Sequence, residues 1–330
     1  MLAPKPHLPF DQQLDRLRSR GLVYESHPSA LAALKRIGYY RFSAYAYPFR
    51  AALETGSSNG KSRSDEFVAG ARFEDAVKLY NFDEKLRLVL LDGLNTVEIA
   101  LAVRVGYSLG KRSPLAHLDA RNLDSQRCSA GADGSTDGSS AYDAWCDRHD
   151  KLRKSALQED YVKHHVLNYD GQIPIWAATE YMDFGCLVRL YYLMRQEDRR
   201  VVAEVFGVEN DQSDLLHRWL QALNILRNHC AHNNRVWNRS TVAVPPKFAT
   251  RMVQPELHHL NDLDSQERLR VYYVAGIIAY LTRRIDPDST WALRFRTQVR
   301  KFGNIGGMTI ENTMGFPEQW ESLDLWKPVR

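Results

Sequence analysis

From Phe73 to about Leu109 apolar residues recur at steps of three and four with scarcely a break. That is the period of an α-helix, and it predicts one long helix that only Asp83 or Gly93 is placed to divide. Arg87, Leu91, Leu94, Glu98, Leu101 and Val105 fall along one stripe of it, so Glu98 projects from a face that is otherwise mostly apolar. A carboxylate in that setting has to be met by an arginine or by backbone N–H groups. Arg104 stands about 120° away round the helix and is not placed to serve.

A second helical pattern follows Pro174, a residue suited to a first turn because its missing N–H costs nothing there. Trp176, Glu180, Phe184, Leu187 and Tyr191 keep the spacing and again set an acid, Glu180, among apolar neighbours. A third pattern runs through Leu215, Leu216, Trp219, Leu220, Leu223 and Leu226, with Asp211 to Asp214 as N-cap candidates. Nearer the N-terminus, Leu31, Leu34 and Ile37 lead into an aromatic cluster from Tyr39 to Phe49. Such a cluster is read as packing; Arg41 and Arg50 beside the rings leave stacking on a nucleobase as the alternative. Residues 55–66 and 124–140 are polar, Ser- and Gly-rich excursions, and hairpin signals and repeats of fixed period are missing. The expectation is a mainly α protein: a helical cap and loop over residues 1–66, a helical core over 67–285 with a Ser/Gly-rich loop at 124–140, and a C-terminal extension over 286–330.

Composition narrows this little. Lys and Arg number 44 against 40 Asp and Glu, a net charge of +4 that admits a local anion site without making the whole surface a polyanion binder. The 16 Tyr, 12 Phe and 7 Trp exclude a disordered chain. Four scattered cysteines without CxxC spacing suggest neither a disulfide framework nor a zinc ribbon, which points to a reducing compartment. Residues 1–10 lack the apolar stretch of a secretory signal, and the greasiest run, Val271 to Leu281, is shorter than the roughly 20 residues a bilayer needs. A cytoplasmic protein with no membrane partner is expected. Gly303 to Gly307 lacks the strand and the Lys-Ser/Thr continuation of a nucleotide loop, and no cofactor is indicated.

The chemistry concentrates in LNILRNHCAHNNRVWNR, Leu223 to Arg239. Extending the stripe Leu216, Leu220, Leu223 by four lands on Arg227, a guanidinium where the core pattern calls for an aliphatic side chain. Five residues later comes His232, and Asn233-Asn234 are suited to end a helix through a left-handed residue, placing the imidazole in the last turn where the helix dipole favours a cation. Arginine and histidine together suit RNA cleavage by internal attack of the 2′-hydroxyl: histidine handles a proton near neutral pH, and arginine presents a planar fork to phosphate oxygens. On an ideal helix residues five apart diverge by about 140°. A shared site therefore requires a reaching arginine, a helix ending near Cys230 and Ala231, or a second protomer. A metal site from His229, Cys230 and His232 is the rival, but Cys230 points about 100° from His229 and no CxxC or HExxH completes the set. Arg235 and Arg239 recur four apart around Trp237, as a phosphate-contacting face or as an ordinary solvated surface.

The segment Arg227 to His232 resembles the RxxxxH signature of HEPN-superfamily ribonucleases, with Asn228 at the polar position after the arginine. IGYYRFSAYAYPF (Ile37 to Phe49), LYNFDEKLR (Leu79 to Arg87), VEIALAVRVGYSLG (Val97 to Gly110), PIWAATEYMDFG (Pro174 to Gly185) and LRNHCAHNNRVWNR (Leu226 to Arg239) resemble, in that order, the Abi-like family of bacterial abortive-infection proteins. The resemblance implies a HEPN-like helical bundle and a homodimer whose composite active site sets two motifs face to face. It further implies metal-independent endoribonuclease activity in phage defence or toxin-like growth arrest, a setting that allows for an antitoxin. Arg227, His232 and Asn228 become the catalytic candidates; Arg235, Arg239 and His229 the RNA-binding ones; Glu98 and Glu180 supporting residues. The alternative is a non-catalytic module that binds RNA or nucleotide through the same face.

Overall fold

The computed structural model describes residues 6–53, 62–129, 140–211, 214–240 and 247–328. The fold is mainly α. In chain order come α1 (Phe10–Ser19), α2 (His27–Ile37), α3 (Tyr39–Ala46), β1 (Arg50–Ala52), β2 (Arg63–Phe67) and α4 (Phe73–Gly110). Then follow α5 (Ala141–Ser155), α6 (Asp160–Asn168), α7 (Ile175–Ala178), α8 (Phe184–Leu193), α9 (Gln196–Val205), α10 (Leu215–Ala231), α11 (Val271–Ile285), α12 (Trp291–Arg300) and α13 (Ile310–Met314).

The chain forms two compact units, and the division falls elsewhere than composition suggests. One unit holds Met1–Arg87 with Thr297–Thr313, the other Leu88–Arg296 with Met314–Arg330. The boundary thus lies inside α4, and the residues read as a C-terminal extension are shared between the two cores. A polar-loop criterion could not find such a boundary, because an uninterrupted helix crosses it.

In the first unit Phe42 stacks on Phe73 with ring centroids 4.2 Å apart, and Phe82 meets Phe302 edge-on at 4.9 Å. Phe42, Tyr45 and Phe49 are buried, as the packing reading of the aromatic cluster expects, whereas Tyr40 is 88% exposed. Residues 63–66, read as part of a polar excursion, form β2 together with Phe67, antiparallel to β1 with Arg50 opposite Phe67 and Ala52 opposite Arg63. Residues 54–61 of that excursion lie outside the described residues. Inside α4, Asp83 and Arg87 are both buried and joined at 2.5 Å, and the Tyr45 hydroxyl donates to the same carboxylate oxygen at 2.5 Å. The charged pair in LYNFDEKLR is therefore an internal ion pair one helical turn apart.

In the second unit α11 is buried from Val271 to Thr282, which accounts for the greasiest run of the sequence. No helix among the described residues is long and apolar enough to cross a membrane. Tyr272, Phe295, Phe316, Trp320 and Trp326 form a contiguous ring cluster, with Phe295 stacked on Trp326 at 5.4 Å. Gly93 does not divide α4: a Cβ there would come within 2.5 Å of the Trp291 indole, whose N–H donates to the Val89 carbonyl at 2.8 Å. Of the Ser/Gly-rich stretch, residues 130–139 lie outside the described residues. Its flanks are tied down, because Asp124 caps the following backbone and Ser140 caps α5.

Breaking a buried pair by removing one partner strands the other charge. Asp83→Asn is expected to lower the unfolding free energy by about 3–5 kcal/mol, read from urea unfolding, with Asp83→Leu/Arg87→Met recovering most of the loss. A single-variant loss below about 1 kcal/mol contradicts the assignment.

Candidate active site

Helix α10 begins with a cap supplied from a distance. Asp214, just before it, is in the left-handed region at φ 55°, and the Asp211 carboxylate accepts the backbone N–H groups of Leu215 at 2.8 Å and Leu216 at 3.0 Å. Leu215, Leu216, Trp219, Leu220, Leu223 and Leu226 are all buried, as the periodicity expects. The helix ends in a Schellman arrangement: Asn233 has φ 55° and its N–H donates to the Cys230 carbonyl at 3.1 Å, while the Asn234 N–H donates to the His229 carbonyl at 2.9 Å. His232 is the last residue before that turn, with φ −87° and ψ 13°, and is exposed.

That early stop answers the angular difficulty. Arg227, Asn228 and His232 line one cleft of about 590 Å³ in the second unit, together with Arg148, Asp183, Arg189 and Asn224. No further helical turn follows His232. The motif's two defining residues therefore line one cleft of a single chain.

Glu98 of α4 is what holds Arg227. Its Oε2 lies 3.4 Å from Arg227 Nε, with the two side chains 17% and 31% exposed. Glu98 also accepts the backbone N–H of Phe184, the first residue of α8. Burial raises its pKa above the ordinary carboxylate value; the Arg227 charge and hydrogen bond and the Phe184 N–H pull it back, and nearby Asp183 pushes it up again. The expected partner of a carboxylate on an apolar stripe is thus the guanidinium on another helix's apolar stripe.

The opposite wall is α5 and α8. Asp183 caps α8 by accepting the Cys186 N–H at 2.8 Å, and its other oxygen takes the Arg148 guanidinium. The Trp145 indole N–H donates to the Cys186 carbonyl at 3.1 Å, tying α5 to α8 under the cleft. A Cβ on Gly185 would stand 3.3 Å from Asn224 Nδ2, so the glycine lets α8 approach α10 at the cleft. Arg189 is exposed at the rim.

The other candidates do not line this cleft, although Glu180 shares a second cavity of about 300 Å³ with Glu98 and Arg227. Glu180 does not repeat the pattern of Glu98: the helix expected from Trp176 to Tyr191 breaks at Met182, because Asp183 starts a new helix. Glu180 then sits exposed on a 3-10 turn, Thr179–Tyr181, beside exposed Trp176. His229 is half-buried, with Nδ1 3.5 Å from Asn234 Nδ2, and its pKa is lowered first by burial and then by Arg239 and His232 nearby. His229, Arg235 and Arg239 are not among the residues lining the cleft. Cys230 is buried while His232 is exposed, so the rival metal donors are not brought together, and no group of three His, Cys, Asp or Glu side chains fit for a metal occurs among the described residues.

Sequence reasoning missed Arg148, Asp183, Arg189 and Asn224. Two left a signal: Arg189 is a lone charge inside the apolar run Cys186 to Leu193, and Asp183 precedes a helical pattern as an N-cap does. Arg148 left none, since its place depends on α5 packing against α8.

The family model described as Abi-like protein matches residues 32–238 of the chain. No curated protein and no solved structure matches it.

The Glu98 shift has a measurable sign. A carboxyl whose pKa is raised on folding contributes stability that is complete below its ordinary value of 4.5 and is lost as pH climbs through the raised value. Relative to Glu98→Gln, which cannot titrate, the wild-type chain is therefore expected to lose stability from acid toward neutral pH in urea unfolding. A wild-type advantage that grows toward neutrality contradicts this.

Proposed function

The chain belongs to the Abi-like protein family, and from that premise we propose that it is a metal-independent endoribonuclease of the HEPN type acting in abortive infection. The observation that carries this reading is the meeting of Arg227, Asn228 and His232 in one cleft rimmed by Arg148 and Arg189. Three arginines around a cavity of that size suit a polyanion whose phosphate enters between them. The substrate is RNA because the only nucleophile the reaction requires is the 2′-hydroxyl beside the scissile phosphate.

In this mechanism the 2′-oxygen attacks phosphorus and the bond to the 5′-oxygen breaks, leaving a 2′,3′-cyclic phosphate upstream and a 5′-hydroxyl downstream. His232 exchanges a proton with the 2′-hydroxyl or the departing oxygen. Arg227, aimed by Glu98, neutralises the charge that builds on the crowded phosphate. Asn228, exposed one position beyond Arg227, orients the strand or the imidazole.

A second copy of the chain completes the proposed assembly. Ile99, Val103 and Tyr107 follow one another at steps of four on α4 and are 65%, 56% and 62% exposed, with Trp176 at 53% beside them. An apolar stripe left in solvent on a long helix is the mark of a protein interface. The same helix carries Glu98, so a dimer through this face sets the two clefts near the two-fold axis.

Two measurements test this. Against single-stranded RNA in EDTA, His232→Ala is expected to lower the cleavage rate by about two to four powers of ten while RNA still binds. Wild-type turnover by His232→Ala, or RNA retention by the wild type without any turnover, contradicts the nuclease reading, the latter in favour of a binding module. In sedimentation, Val103→Glu is expected to convert a dimer to a monomer. A wild-type chain that is already monomeric at micromolar concentration, or a dimer indifferent to the substitution, removes the α4 interface.

A further inference from the structure

The first unit holds a cavity of about 450 Å³ that shares no residue with the Arg227 cleft. Its lining brings together Gln13 and Arg16 of α1, Arg20 just past its end, Arg50 of β1, Asp65 of β2 and the ring of Tyr40. The charge does not balance. Asp65 spends one oxygen on Arg20 and the other on Arg50, each at 3.2 Å, and among the described residues no carboxylate pairs with Arg16. Three guanidiniums thus face one cavity against one carboxylate.

Its polar groups are also incompletely used. Arg50 Nε and Gln13 Oε1 are both buried without a hydrogen-bond partner, one a donor and one an acceptor, on residues that line this same cavity. Unpaired buried polar atoms are rare in folded chains and ask for an explanation. Beside them Tyr40, 88% exposed, meets Tyr39 edge-on at a centroid distance of 6.1 Å and leaves its face to solvent. A cation cluster and an open aromatic face at one cavity match the parts of one ligand class.

We propose that this cavity binds a nucleoside phosphate. The phosphate lies between Arg16, Arg20 and Arg50, as arginine forks hold phosphate oxygens, and the base stacks on Tyr40. The volume falls within the range of small-ligand sites. A free nucleotide and the end of an RNA strand present the same chemistry, and the experiment separates them. The site does not depend on cleavage, so its failure and that of the nuclease reading are distinguishable.

The test titrates the full-length His232→Ala chain, which spares RNA, with AMP, ATP, inorganic phosphate, and a short single-stranded RNA with or without a 5′-phosphate, by calorimetry. Saturable binding of AMP or ATP assigns the site to a free nucleotide. Binding of the 5′-phosphorylated strand alone assigns it to a strand end, and either result supports the proposal. Adding Arg16→Glu or Tyr40→Ala, both at solvent-accessible positions, is expected to weaken that binding at least about tenfold with the circular dichroism unchanged. Loss of the dichroism shows a fold effect, and Arg16→Gln then takes the place of the failed variant. Binding of inorganic phosphate as tight as that of the nucleotides, no saturable binding of any probe, or binding that neither substitution weakens overturns it.

Discussion

A guanidinium stands where the packing stripe of α10 calls for an aliphatic side chain, and the carboxylate of Glu98 is what makes that position tenable. Each charge would be costly alone among apolar neighbours. Together they turn two packing defects into one directed contact between α4 and α10, with Phe184 N–H on the remaining acceptor capacity. Because burial still raises the carboxyl's pKa, the pair is held at some cost to the fold. In the proposed reaction such a contact serves to aim Arg227 rather than to stabilise the chain.

Around that contact, backbone terminations do the rest. The left-handed Asn233 stops α10 directly after His232 and leaves the ring in solvent, while Asp183 starts α8 and fixes Arg148 with its second oxygen. Gly185 lets the two helices close on Asn224. The cleft is thus assembled from a helix end, a helix start and a missing side chain, each a local choice. Its walls are rigid secondary structure, the arrangement that keeps a reactive constellation in register.

What could be read in advance follows the range of the interactions. The long α4, the span of α10 and the stop at Asn233 are local matters of period and capping, and the chain states them openly. That Glu98 needed a partner was legible, since a lone acid on an apolar stripe has few options; that the partner was Arg227 was not, because nothing local links the two helices. The break at Met182 stayed hidden because Trp176, Phe184, Leu187 and Tyr191 keep the helical spacing across it, and only the Asp183 cap distinguishes two helices from one. The strand at Arg63–Phe67 has polar side chains at all but its last residue and is held by backbone pairing with Arg50–Ala52, which periodicity of apolar residues does not register. The unit boundary inside α4 escaped any search for loops because an uninterrupted helix crosses it.

The central claim is that a cleft built on Arg227 and His232 directs a 2′-oxygen at phosphorus. It is tested most directly by the ends of the RNA fragments that the purified chain produces in a chelator. Mass spectrometry is expected to find a 2′,3′-cyclic phosphate on the upstream piece and a 5′-hydroxyl on the downstream piece. Fragments carrying a 5′-phosphate and a free 3′-hydroxyl would come from attack by water, and would contradict the account.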